Sequence, residues 1–142
     1  MEEELGKLKI SHDGYWYWCN NQLTNENILK LFASSIFKEN DTYYIRLKGQ
    51  TYIVTVEKVP FVIESVLKGE ESFIICLRDS RRIIWPESII FLIEDVPYTS
   101  LRFEKDALIS RKAWWQLQQY MYETDGEYEV RYDGKRWPIK EN

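Results

Sequence analysis

The sequence predicts an α+β domain built from antiparallel β-hairpins and sheets with two main helices. The chain has 142 residues, which is a common size for one domain with its own core. Short turns containing glycine recur between strand-like runs, as expected for hairpins. Helical periodicity occurs in only two segments, at about 25–37 and 111–122. We therefore expect one compact unit over 1–142, with subdomains 1–68 and 69–142 as the alternative.

The first part of the chain predicts a hairpin followed by a helix. Asp13-Gly14 lies between the strand-like runs Lys7–Ser11 and Tyr15–Trp18, and Asp-Gly is a strong signal for a hairpin turn. Thr24 is a candidate N-cap because its hydroxyl can accept a hydrogen bond from a free backbone N–H. Apolar residues then recur at helical spacing: Ile28, Leu29, Leu31, Phe32 and Ile36.

The middle of the chain predicts a series of strands and contains a repeated pattern. Val56–Phe61 and Ile93–Tyr98 share Glu, Val and Pro at the same relative positions. This similarity indicates an imperfect internal duplication, and a chance likeness between two bent strand pairs explains it equally well. The predicted strands are Tyr43–Leu47, Thr51–Glu57, Phe61–Leu67, Ser72–Leu77, Arg82–Trp85, Ser88–Glu94 and Tyr98–Phe103.

The last third predicts the second helix and a closing hairpin. Ser110 is a candidate N-cap, and Asp133-Gly134 forms a second Asp-Gly turn, between Glu127–Tyr132 and Arg136–Ile139. An apolar stripe at helical spacing follows the N-cap: Ala113, Trp114, Leu117, Tyr120 and Met121.

Charge and hydropathy argue against nucleic-acid and membrane partners. The net charge is −4 and no dense stripe of Lys and Arg is present, whereas a nucleic-acid binder needs a basic face. The longest apolar runs, Phe73–Leu77 and Ile89–Ile93, have five residues each, and a bilayer requires about 20. Met1–Glu4 lacks the basic and apolar pattern of a secretory signal. A cytoplasmic location is therefore expected.

Enzymatic and metal motifs are not found in the sequence. His12 and Asp13 are adjacent, and neighbouring residues of a strand or turn point apart, so we expect no hydrogen bond between their side chains. Cys19 and Cys76 fit no metal spacing and are expected to be small buried hydrophobic residues. We therefore predict no catalytic residue, no metal and no cofactor. The sequence gives no support for an enzymatic function, although it does not exclude one.

The best candidate site is Ser110-Arg111-Lys112. Two cations in the first turn of a helix oppose its dipole, so a negative group is expected nearby. Asp106 or Glu104 could supply that charge, or a phosphate or carboxylate ligand could. Aromatic residues make up 15% of the chain, and they either pack in the core or form a stacking platform or protein interface. The tryptophans assigned to a ligand site are Trp16, Trp115 and Trp137.

Five segments together resemble a bacterial family of small proteins that is known only as a domain of unknown function. They occur in the same order along the chain: Asp13–Trp16, Leu29–Ser34, Val56–Phe61, Asp106–Arg111 and the closing Asp-Gly-Trp hairpin. The resemblance implies two α+β subdomains related by duplication, the second similar to a pleckstrin-homology-like fold. It also implies a nucleotide-like ligand between the halves and a role in signalling.

The sequence thus favours a non-enzymatic binding module for a small anionic ligand held between the two halves near Arg111. The alternative is a structural protein that binds a protein partner, or a second copy of itself, through exposed aromatic residues.

Overall fold

The computed structural model describes residues 7–142. The chain divides into two compact units, Met1–Pro60 and Phe61–Asn142. The sequence placed a subdomain boundary after residue 68, but that position is the end of a strand, Phe61–Lys68, which belongs to the second unit.

The first unit is a mixed sheet of six strands with one helix. The strand order is β3-β2-β1-β6-β5-β4, and β1 pairs with β6 in parallel while the other neighbours are antiparallel. Its elements are β1 (Leu8–Ile10), β2 (Trp16–Trp18), β3 (Asn21–Gln22), α1 (Glu26–Ser35), β4 (Ile36–Glu39), β5 (Thr42–Leu47) and β6 (Gln50–Val56).

Helix α1 begins one residue later than predicted and ends earlier. The side-chain oxygen of Asn25, rather than that of Thr24, accepts the capping hydrogen bond from Ile28 N at 3.1 Å. The predicted helix extended to Phe37, but the chain becomes extended at Ile36. Ile36 is buried and opposes Ile45 across the β4–β5 pair, so cross-strand packing of two β-branched side chains ends the helix there.

The second unit is a nine-stranded sheet that carries a short helix. The strand order is β13-β14-β15-β10-β11-β12-β7-β8-β9. Two pairs are parallel, β7 with β12 and β10 with β15. Its elements are β7 (Phe61–Lys68), β8 (Phe73–Leu77), β9 (Arg82–Ile84), β10 (Ile90–Ile93), β11 (Val96–Thr99), β12 (Ala107–Ile109), α2 (Arg111–Leu117), a 3₁₀-helix (Gln118–Tyr120), β13 (Met121–Thr124), β14 (Glu127–Tyr132) and β15 (Lys135–Glu141).

The α+β class agrees with this structure, whereas the prediction of purely antiparallel sheets was wrong. Both sheets are mixed. The second helix was predicted to reach residue 122, but α2 ends at Leu117 and the chain passes through the 3₁₀-helix into β13. Met121 opposes Val130 in the β13–β14 pair, so strand pairing takes over from the helix there. No helix within residues 7–142 has the length and apolar character needed to cross a membrane.

Tight two-residue turns connect many of the strands. Both turn residues have positive φ in each case, which defines the type I′ turn that matches the twist of a hairpin. Asp133-Gly134 is one of them, as predicted. Asp13-Gly14 is not, because Ile10 opposes Trp16 and a longer loop separates them. The turns are Cys19-Asn20, Asn40-Asp41, Lys48-Gly49, Glu94-Asp95, Asp125-Gly126 and Asp133-Gly134.

The two segments of the repeated sequence pattern differ in conformation. In one, Glu94-Asp95 forms a two-residue turn between β10 and β11. In the other, 57–60 is irregular chain that follows β6. The pattern therefore does not mark equivalent positions, and the internal duplication is not confirmed.

The core of the second unit contains an aromatic cluster. The rings of Trp85 and Trp137 stack with centroids 4.9 Å apart, and those of Phe73 and Tyr132 stack at 4.4 Å. Tyr120 meets Phe73 edge-on at 5.0 Å. Aromatic residues in such arrangements contribute both buried area and favourable ring geometry. We call these five residues the aromatic cluster.

Candidate functional site

Ser110 is the N-cap of α2, as predicted, and its polar atoms all bond within the second unit. Its Oγ accepts a hydrogen bond from Ala113 N at 3.1 Å and donates one to the backbone oxygen of Glu64 at 2.9 Å. Its backbone N–H donates to Ile63 O at 3.0 Å. Ser110 therefore fixes the start of the helix against β7, and its hydroxyl proton is already committed.

Arg111 and Lys112 are exposed and form no ion pair with any carboxylate among residues 7–142. The two acidic residues that could have neutralised them are engaged elsewhere. Asp106 accepts hydrogen bonds from the backbone of its own loop, and Glu104 lies 3.9 Å from the ammonium of Lys105. Two uncompensated cations are thus present at the start of α2.

Trp115 lies beside these cations with 70% of its surface exposed. Residues three and four apart are neighbours on a helix, so Arg111 and Lys112 both flank Trp115. Ala113 and Leu117 point into the core, which leaves Trp115 on the exposed flank expected from helix geometry. We call Arg111, Lys112 and Trp115 the α2 surface.

Trp16 and Trp137, the other tryptophans assigned to a ligand site, lie in the hydrophobic cores of the two units. Trp16 is 1% exposed and Trp137 is 0% exposed. The indole N–H of Trp137 donates to Pro86 O at 2.8 Å. Neither ring has a free face on which a ligand could stack, so their assignment to the site is corrected.

Asp106 organises the loop that leads toward α2 through β12. Its carboxylate accepts from the backbone N–H groups of Leu101, Arg102 and Phe103 at 2.7, 2.7 and 2.6 Å. Burial raises the pKa of Asp106 above its ordinary value, and the backbone hydrogen bonds oppose that rise. A buried carboxylate surrounded by its own loop is a structural group with no access to a ligand.

His12 belongs to a small surface network in the first unit, and its ring lies near Asp13 at a distance longer than a hydrogen bond. His12 Nε2 lies 3.6 Å from Asp13 Oδ2, and Nδ1 lies 3.5 Å from Glu57 Oε1. The backbone N–H of His12 lowers the pKa of Glu57, with Lys9 contributing a smaller effect. All these side chains are substantially exposed, so water screens their charges and the network lacks the enclosure of a catalytic base.

Neither cysteine has a disulfide partner or a metal cluster around it. Cys76 is partly buried in β8, while Cys19 is exposed in a turn with φ of 50°, which corrects the expectation that both are buried. Within the part of the chain that the structure describes, no three His, Cys, Asp or Glu side chains group closely enough to hold a metal ion.

A second candidate site was missed by sequence reasoning. The hairpin of β14 and β15 borders a cavity of about 810 Å³ whose lining includes Arg131, Arg136 and Pro138. A signal was present, because Arg131 precedes the Asp133-Gly134 turn by two residues and Arg136 follows it by two. A two-residue hairpin loop places such residues directly opposite each other, and the structure does so.

Comparison with known proteins identifies the fold. No family model matches the chain, and no curated protein matches it. Two solved structures do. One is a DUF1285 family protein from Silicibacter pomeroyi DSS-3, with 22% identity, a TM-score of 0.72 and coverage of 93% of this chain and 78% of that chain. The chain has the fold of these proteins.

The second similar structure is a DUF1285 family protein from Shewanella baltica OS155. It has 18% identity and a TM-score of 0.67, and the match covers 82% of this chain and 94% of that chain. Both neighbours agree with the predicted resemblance to a bacterial domain of unknown function. The pleckstrin-homology-like second half and the signalling role are not confirmed by these likenesses.

Proposed function

We propose that the protein is a non-enzymatic binding module whose α2 surface takes a small anionic ligand with an aromatic ring, such as a nucleotide. The observation that carries this proposal is the exposed Trp115 flanked by two cations without a carboxylate partner among the described residues. Reversible binding of such a ligand fits the signalling role that the family resemblance implies.

The chemistry of the α2 surface favours an anion that carries an aromatic ring over an anion that has no ring. An exposed indole stacks well on a nucleobase, because both have extended π-faces. The guanidinium of Arg111 can form two parallel hydrogen bonds to a phosphate, and Lys112 adds a second positive charge. Ring stacking and phosphate pairing would therefore act on the same ligand molecule.

The experiment is an NMR titration with ATP in which the indole N–H signal of Trp115 is followed. Adenosine and inorganic tripolyphosphate serve as separate arms that contain only the ring or only the phosphates. We expect ATP to bind more tightly than either. The double variant Arg111→Ala/Lys112→Ala and the single variant Trp115→Ala are each expected to weaken ATP binding about tenfold.

Arg82→Ala is the matched control, because Arg82 is an exposed arginine of the same unit on β9. It should bind ATP like the unmodified chain. Binding that is unchanged in both α2 variants would contradict the proposal, as would a Trp115 signal that does not move with millimolar ATP.

A second candidate function is self-association through strand β9, which is an edge of the nine-stranded sheet. Leu77 N donates to Arg81 O, and Trp85 N donates to Phe73 O. In an antiparallel pair the residues of one strand alternate between bonding to the neighbouring strand and pointing away from it, and these two bonds fix which residues of β9 bond to β8. The backbone groups of Arg82 and Ile84 therefore face the open edge. Ile84 is also 70% exposed, which is unusual for a large aliphatic side chain.

Light scattering coupled to size exclusion would test this candidate. Edge-to-edge pairing predicts a dimer at high protein concentration. Ile84→Lys is expected to shift the dimer to monomer, because a charged side chain on an edge strand opposes its pairing with another chain. A chain that is monomeric throughout would rule out self-association without affecting the ATP result.

A further inference from the structure

The β14–β15 hairpin places two arginines directly opposite each other. Arg131 of β14 and Arg136 of β15 are cross-strand partners. Like charges in this position repel and destabilise a sheet. An anion placed between the two side chains therefore stabilises the pair, and both side chains line the cavity of about 810 Å³.

Glu129 supplies only part of that compensation. Its Oε2 accepts from Arg131 Nε in a short hydrogen bond, while Arg136 Nη1 is farther away at 3.7 Å. Arg131 is also held over the ring of Tyr122, with its guanidinium carbon 4.6 Å from the ring centroid. Arg131 is therefore preorganised, whereas the Arg136 side chain is 63% exposed and loosely held. Among the residues that line the cavity, one carboxylate thus lies between two guanidinium groups, which leaves a net positive charge at this end of the lining. Glu87, whose Oε1 accepts from the backbone N–H of Arg136 at 2.9 Å, lies outside the lining.

The opposite end of the same cavity is acidic. It is lined by Asp125, Glu127 and Glu141, with Lys140 as the cation at that end. Glu127 and Arg131 are four residues apart on β14, a distance of about 13 Å along an extended strand. The cavity thus has a positive end and a negative end, with the cross-strand pair of Glu129 and Pro138 between them.

We propose that this cavity binds a short peptide with free termini, its carboxylate between Arg131 and Arg136 and its ammonium group at the acidic end. The guanidinium groups provide planar donors suited to a carboxylate. A four-residue extended peptide spans about 13–14 Å, which matches the separation of the two ends. A polyanion is disfavoured because it would meet the acidic end.

The test is an NMR titration of the full chain with tetraalanine, followed through the amide signals of β14 and β15. Tetraalanine with a C-terminal amide and N-acetylated tetraalanine are the comparison probes. We expect the amide to bind about tenfold more weakly than the free peptide, because the charge at the arginine pair is lost. We expect N-acetylated tetraalanine to bind more weakly as well, because it has no ammonium group to place at the acidic end.

Arg136→Gln is the variant of choice, because Arg136 is exposed and its loss leaves the Arg131 contacts to Glu129 and Tyr122 in place. Arg136→Gln should weaken the binding of tetraalanine about tenfold. Arg111→Ala on the α2 surface should leave the binding of tetraalanine unchanged. The proposal is overturned if tetraalanine moves no hairpin signal at millimolar concentration. Equal binding of the free and amidated peptides, or no effect of Arg136→Gln, would also overturn it.

Discussion

Replacing Trp137 by alanine is expected to lower the free energy of unfolding of the second unit by about 3–5 kcal/mol. The indole is 0% exposed, stacks on Trp85 and packs on Phe73 with centroids 5.3 Å apart. Its removal would open a void in the aromatic cluster that the surrounding strands cannot close. Urea denaturation followed by circular dichroism would measure the change.

A pair of conservative variants separates packing from hydrogen bonding. Trp137→Phe loses the hydrogen bond to Pro86 O, whereas the indole N–H of Trp85 is buried without a partner among the described residues. Trp85→Phe therefore removes an unsatisfied donor along with part of the ring. We expect Trp137→Phe to cost about 1 kcal/mol more than Trp85→Phe. The reverse order would contradict the view that the hydrogen bond of Trp137 to Pro86 O decides the difference.

Asp106→Ala is expected to destabilise the second unit by about 2–3 kcal/mol, because three backbone N–H groups lose a charged acceptor. Glu104→Ala is the matched control, since Glu104 is an exposed carboxylate of the same loop. It should change stability by less than about 0.5 kcal/mol. Equal effects of the two variants in urea denaturation would show that the loop does not depend on the Asp106 carboxylate.

The direction in which pH changes the stability difference between the unmodified chain and Asp106→Ala can also be predicted. Burial raises the pKa of folded Asp106 above the value of 3.8 expected in the unfolded chain. Between those two pKa values the folded state binds more protons, so its stability falls as the pH rises through that window. The stability advantage of the unmodified chain over Asp106→Ala should therefore be largest below pH 3.8 and decrease as the pH rises toward neutral. An advantage that grows over this range would contradict the assignment.

The sequence predicted local structure well wherever short-range chemistry decides it. Ser110 caps α2 as expected, since an N-cap depends only on the residues around it. The Asp133-Gly134 turn formed as predicted, because both residues tolerate positive φ. The helix ends at Ile36 and Met121 were missed, since strand pairing with residues farther along the chain overrides helical periodicity there. The parallel pairs were missed for the same reason.

Among the candidate ligand residues, the sequence correctly placed on one exposed surface only those whose surroundings are local. Arg111, Lys112 and Trp115 lie on one helix, so their neighbourhood follows from spacing alone. Trp16 and Trp137 were assigned to the same site because an isolated aromatic gives no sign of whether its strand face is covered. Their burial depends on packing against residues far along the chain, which spacing cannot reveal.

The parallel pairing of β10 with β15 sets the order in which the second unit can form during synthesis. β15 lies between β14 and β10 in the sheet, yet it is translated more than forty residues after β10. Until it emerges, β10 has an open edge and Trp85 lacks the indole that stacks on it. Open edges and uncovered aromatic surface are what chaperones bind and what aggregates. The growing chain should therefore be most vulnerable in the interval before the final hairpin closes.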